Sequence, residues 1–95
     1  MLTKKTPTAQ EASWQAALVG FDDWQRARGM GDKTRSAYGV DLTQLAEWAA
    51  GRDLGPGDIT HRELRLFAAV LSERGAAKST VGRKLAAIRT FYRHL

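Results

Sequence analysis

The chain has 95 residues, no cysteine, and 15 Lys and Arg against 10 Asp and Glu, a formal net charge of +5. That length suits one domain with its own core and is too short for two, and without cysteine there is neither a disulfide framework nor a thiolate metal site, which fits a reducing cytoplasm. No run approaches the roughly 20 apolar residues of a membrane span, and Met1 to Thr8 (MLTKKTPT) lacks the apolar middle of a signal peptide, so it reads as a loose tail.

Four helices are predicted between Ala9 and Leu95, and no segment alternates as a strand. The first runs from about Ala9 to Arg28, with Trp14, Ala17, Leu18, Phe21 and Trp24 on one stripe and Gly29 as its stop. The second runs from about Asp32 to Ala50. Its expected buried stripe is Thr34, Tyr38, Leu42, Leu45, Trp48 and Ala49, with Gly51 ending it. The segment from Gly51 to Asp58 (GRDLGPGD) carries three glycines and a proline and reads as a loop between two helical hairpins.

The third helix is announced by Thr60 followed by Glu63, a capping box in which each side chain satisfies the other's backbone N–H. Leu64, Phe67, Ala68 and Leu71 give it an apolar face, and Gly75 stops it. The fourth begins near Lys78 and runs to the end. Val81, Leu85, Ile88, Tyr92 and Leu95 recur at spacings of four and three, so they form its apolar stripe. Ser79, Gly82, Arg83, Ala86, Thr90 and Arg93 fall on the opposite side. Short connections after Gly29 and Gly75 imply two antiparallel pairs folded into one all-α bundle.

Charge is polarised along the chain. Residues 1–59 hold seven cations and eight anions, whereas residues 60–95 hold eight cations and two anions. The last eighteen residues carry five cations and no carboxylate. A chain charged only for solubility would mix its signs, so this pattern points to one basic surface, with a polyanion as its partner and duplex DNA as the expected one.

Three stretches together resemble the N-terminal core-binding domain of tyrosine recombinases, of the Xer and phage integrase type. They are Gly29 to Leu42 (GMGDKTRSAYGVDL), Ile59-Thr60, and Gly75 to Leu95 (GAAKSTVGRKLAAIRTFYRHL). Thr34, Tyr38, Asp41, Leu42, Thr60, Arg83, Leu85, Ile88, Arg89, Phe91 and Tyr92 carry the likeness. It implies a four-helix, SAM-like bundle of two helical hairpins over residues 9–95. It further implies that this bundle clamps duplex DNA at a recombination site through its second and fourth helices, beside other recombinase protomers. Carried over, it nominates Lys33, Thr34 and Arg35 at the start of the second helix. At the start of the fourth it nominates Lys78, Ser79, Thr80, Arg83 and Lys84. Helix N-termini suit that role on physical grounds too, since they present unpaired N–H groups and partial positive charge. The family's usual Ser caps are replaced here by Gly31 and Ala77. Gly31 still caps; Ala77 offers no acceptor, and a cap at Ser79 would start the helix later.

The family's chemistry uses a tyrosine nucleophile surrounded by cations. Tyr38 and Tyr92 both fall on apolar stripes, and the resemblance puts the catalytic residues in a separate domain, absent from residues 1–95. The expectation is a binding fragment with no catalytic residue, no cofactor and no metal, because His61 and His94 lack ligand-spaced partners. Asp22 and Asp23 point about 100° apart on a helix and make no dyad. Trp14, Trp24 and Trp48 have the helical phase of core residues rather than base-stacking ones. Arg89 lies at the stripe's edge, where it either holds a phosphate or braces the bundle through carbonyls or Asp41.

Two other readings stand beside this one. Lys78 to Arg83 (KSTVGR) resembles the start of a repressor recognition helix, but Leu71 sits where the crossing of a helix-turn-helix needs a small side chain. A SAM-like adaptor could instead offer the basic face to an acidic protein.

Overall fold

The computed structural model describes residues 6–95, and the part of the expected tail from Met1 to Lys5 lies outside the described residues. The architecture is all α: α1 (Ala9–Ala27), α2 (Asp32–Gly51), a single 3₁₀ turn (Pro56–Asp58), α3 (His61–Glu73) and α4 (Lys78–His94). Among the described residues there is no strand. No helix there is long and apolar enough to cross a membrane.

Local chemistry explains where the helices begin and end. Thr8, grouped with the tail from sequence, is instead the N-cap of α1. Its Oγ1 accepts from Glu11 N–H at 3.1 Å, and its own N–H donates to the Glu11 carboxylate at 2.9 Å. Of the box expected at α3, the half made by Glu63 is present, while the Thr60 hydroxyl turns to the carboxylate instead of the Glu63 N–H. The Glu63 carboxylate accepts from Thr60 N–H at 3.2 Å and is hydrogen-bonded to the Thr60 hydroxyl. That hydroxyl contact holds the Glu63 carboxyl below its ordinary value. Gly29 (φ 79°) and Gly75 (φ 92°) end α1 and α3 in the left-handed region, as expected.

The end of α2 differs from expectation. Gly51 lies inside the helix, and the left-handed residue is Asp53 at φ 60°. Asp tolerates this conformation better than most side chains. Asp53 N–H reaches Ala50 O at 3.0 Å and Leu54 N–H reaches Ala49 O at 2.9 Å, the paired bonds of a Schellman stop.

The connections make two hairpins, α1–α2 and α3–α4, and α4 also packs on α2. The core is Trp14, Phe21, Leu42, Leu45, Ala46, Ala49, Phe67, Leu71, Ile88 and Phe91. Phe91 lies among the aromatics, edge-on to Phe21 at 5.4 Å between centroids and stacked on Trp14 at 6.3 Å. Two side chains tie down the connection between the hairpins. Trp14 Nε1–H donates to Leu54 O at 2.8 Å, and the Tyr92 hydroxyl donates to Pro56 O at 2.7 Å.

The phase of two helices departs from the sequence expectation. On α4 the buried residues are Lys84, Ala87, Ile88 and Phe91, which turns the inward face by roughly 70° from the expected stripe. Leu95, placed on that stripe, is 57% exposed because it lies beyond the last core contact. On α2, Thr34 is exposed and Asp41 takes a buried position beside Leu42.

Candidate nucleic-acid interface

A shallow groove of about 460 Å³ runs between the first half of α2 and the middle of α4. Lys33, Thr34, Ala37 and Tyr38 line one side; Arg83, Ala86, Ala87 and Thr90 line the other, and Asp41 lies between. Alanines on both walls keep it open, so a backbone or a base edge can approach. A larger concavity of about 1030 Å³ lies between α1 and α2, but Glu11, Asp22, Asp23 and Glu47 stand on it with Arg26 as the opposing charge. A phosphate is repelled there. The two concavities thus differ in charge as well as size: four carboxylates face the larger, whereas Lys33 and Arg83 stand on the smaller.

The helix N-termini sort in the same way. α1 and α3 each begin with a Thr–Glu pair, in which the Glu carboxylate accepts from the cap N–H and places a negative charge in the first turn. α2 and α4 begin at Gly31 and Ala77, and neither cap residue supplies a side-chain hydrogen bond. Ala77, not Ser79, is the cap of α4, so the helix starts at Lys78 and Ser79 and Thr80 lie in its first turn. Their backbone N–H groups lack an intrahelical acceptor and favour an anion. The α4 end is the stronger of the two, because its first turn contains no carboxylate whereas that of α2 contains Asp32.

Six of the nine nominated residues are exposed: Lys33, Thr34, Lys78, Ser79, Arg83 and Arg89. Thr80 is half-buried. Arg83 keeps 58% of its side chain exposed, while one end of its guanidinium donates to Asp41 Oδ2 at 2.7 Å. Arg89 makes no ion pair or side-chain hydrogen bond among the described residues, and the brace to Asp41 that it shared in expectation belongs to Arg83 and Lys84.

Two nominations are corrected in position. The Lys84 side chain is 9% exposed, and its Nζ lies 2.8 Å from Asp41 Oδ1 inside the bundle, so it faces α2 rather than solvent. Arg35 is 16% exposed and turned back towards α1. Its Nη2 donates to Asp32 at 2.9 Å, and its Nε sits 3.2 Å from Asp22 Oδ1 without hydrogen-bond alignment. Its charge is thus shared with two carboxylates. The residue that sequence reasoning did not place at the site is Asp41. The available signal was an acidic residue one helical turn from Leu45 and so in phase with it, which a folded chain rarely tolerates without a cation opposite.

The tyrosines are committed elsewhere. Tyr38 packs edge-on to Phe21 at 5.6 Å. Burial pushes the Tyr92 hydroxyl well above its ordinary value, with the nearby Asp58 carboxylate adding to the effect. Among the described residues no group of three or more His, Asp or Glu side chains is arranged to hold a metal.

Comparison with known proteins agrees with this architecture. Residues 19–95 match the family model for the phage integrase N-terminal SAM-like domain. A tyrosine recombinase XerC of Pelobacter propionicus is 44% identical over 71 residues, covering 72% of this chain and 23% of the relative. A XerC of Roseiflexus castenholzii is 39% identical over 69 residues, covering 72% and 22%. A tyrosine recombinase XerD of Shewanella oneidensis is 30% identical over 75 residues, covering 79% and 25%. The chain thus spans about a quarter of the length of the curated relatives it matches. No solved structure gives a significant match. With four helices in two hairpins and a family match over most of its length, the chain belongs to the phage integrase N-terminal SAM-like domain family.

Proposed function

We propose that this chain is the duplex-DNA-binding part of a site-specific tyrosine recombinase, gripping the recombination site through α2 and α4 beside other recombinase protomers in the cytoplasm. The observation that carries this reading is a coincidence of location. The two helices lining the basic groove are the two that begin without a Thr–Glu pair at the cap. Phosphate oxygens accept from the first-turn N–H groups of α4 and from the hydroxyls of Ser79 and Thr80. Lys33, Thr34 and Lys78 complete the grip, and Arg83 and Arg89 extend it along α4.

With Arg35 and Lys84 withdrawn, Lys33, Lys78, Arg83 and Arg89 neutralise three to four phosphates. The log–log slope of affinity against salt is then about −2.7 to −3.6. Titrating a fluorescent duplex across a salt series measures it. Arg83→Ala should weaken binding by about fivefold or more and flatten the slope by about one. Arg52→Ala is the control, since Arg52 caps α2 and covers Trp48 at 5.3 Å, and it should stay within about twofold. Binding that ignores salt, or equal losses in the two variants, would remove these residues from the interface.

Strand exchange belongs to the part of the protein beyond the binding grip. Transfer requires a tyrosine in line with phosphorus and cations around the non-bridging oxygens. Tyr92 instead donates to Pro56 O, and Tyr38 is packed against Phe21. Incubation of residues 1–95 with a nicked suicide duplex should leave no covalent band on a denaturing gel. A 3′-phosphotyrosyl adduct at either tyrosine would contradict this assignment.

A further inference from the structure

Among the described residues Asp41 is the only buried carboxylate, with 4% of its side chain exposed. Its two oxygens are divided between adjacent residues of α4. Oδ1 faces Lys84 Nζ at 2.8 Å, and Oδ2 faces Arg83 Nη1 at 2.7 Å. Those two cations have opposite surroundings. Lys84 is enclosed, at 9% side-chain exposure, whereas Arg83 is 58% exposed at the groove. An enclosed ammonium needs a fixed counter-charge, and the contact with Lys84 holds the Asp41 side chain in place. Asp41 in turn holds Arg83 by one end.

We propose that Asp41 is a positioning residue that fixes the Arg83 guanidinium so that it reads a base edge in duplex DNA, rather than only holding phosphate. The inference rests on the DNA-binding reading above. A phosphate contact tolerates a mobile side chain, but reading guanine O6 and N7 needs a planar fork in a set orientation. Arg83 has five N–H donors, and one is used by Asp41, which leaves the remainder for a ligand. Lys33, Lys78 and Arg89 have no comparable anchor among the described residues, which marks Arg83 as the cation held still. Asp41 and Lys84 cancel each other's charge, so anchoring leaves the positive potential of the groove equal to that of one free arginine.

The test uses this cancellation. Asp41→Ala/Lys84→Met removes one anion and one cation, so net charge is unchanged and no buried charge is left alone. A preferred duplex is first selected by the unaltered chain from a randomised pool, then compared with its scrambled version. The double variant should bind the scrambled duplex within about twofold of the unaltered chain but lose about tenfold of the preference. Lys84→Met alone should retain the preference, because Asp41 still holds Arg83; a purely structural role would make the two variants behave alike. Circular dichroism confirms folding of each. Retained preference in the double variant, or equal loss in Lys84→Met, overturns the role of Asp41. Binding without preference for any sequence by the unaltered chain also overturns it, while no duplex binding at all removes the DNA reading itself.

Discussion

Phe91→Ala should destabilise the domain by about 3–5 kcal/mol, a large share of the 5–15 kcal/mol typical of a whole domain. Phe91 is completely buried and touches aromatic rings from α1, with Phe21 at 5.4 Å and Trp14 at 6.3 Å. Truncation removes the transfer free energy of the ring. It also leaves a cavity whose walls are rigid rings on another helix, which collapse poorly. A loss of this size lowers the melting temperature by roughly 12 °C or more in a domain of this length. Leu95→Ala is the matched control. Leu95 is 57% exposed, and its removal should change stability by no more than about 0.5 kcal/mol. Thermal or urea unfolding followed by circular dichroism measures both. Similar effects for the two residues would show that the inward face of α4 is the stripe through Leu95 after all.

That pair of residues also marks the boundary between what could be read from sequence and what could not. Helix limits were legible because they are written in local chemistry. Glycine at positions 29 and 75 permits a left-handed backbone, and Glu63 satisfies the Thr60 N–H where α3 begins. Asp53 performs the same stop for α2 but looks like any other loop aspartate, so the end was placed at Gly51. Helix existence and hairpin pairing followed from those limits and from short connections. The rotation of α4 did not. Val81, Leu85, Ile88, Tyr92 and Leu95 define one apolar arc, while Ala87, Ile88 and Phe91 define another beside it. Only the rings waiting on α1 decide which arc turns inward, and they lie about seventy residues away in sequence.

The candidate interface divides along the same line. That α4 carries a basic surface was legible from composition, since five cations and no carboxylate occupy residues 78–95. Which cation faces outward was not. Arg83 and Lys84 are neighbours, so they point about 100° apart and both fit an outer face if the helix is turned slightly. The choice is made by Asp41 on α2, which offers Lys84 an enclosed oxygen and Arg83 one at the groove. Arg35 turns away from the groove for a related reason. Its partners Asp22 and Asp32 belong to different helices, and the hairpin that brings them together is a tertiary fact.

The unequal burial of Lys84 and Arg83 makes the second large effect one of stability. Asp41→Ala should cost about 3–5 kcal/mol, because it leaves the Lys84 ammonium enclosed without a counter-charge. The intact pair itself contributes little. Two unit charges about 4 Å apart attract by about 4 kcal/mol at an effective dielectric of 20, but desolvating each ion costs several kcal/mol. The penalty thus appears only when one partner is removed, and it depends on which. Lys84→Met should cost far less than Asp41→Ala, since Asp41 retains Arg83 at 2.7 Å and the Met side chain replaces the buried stem. Asp41→Ala/Lys84→Met should recover most of the loss, giving a coupling of at least about 1.5 kcal/mol between the two sites. Urea unfolding of the three variants supplies every value in that cycle. Additive effects, or an Asp41→Ala variant within about 1 kcal/mol of the unaltered chain, would mean that Lys84 reaches water in solution and that Arg83 has lost the reason for its anchor.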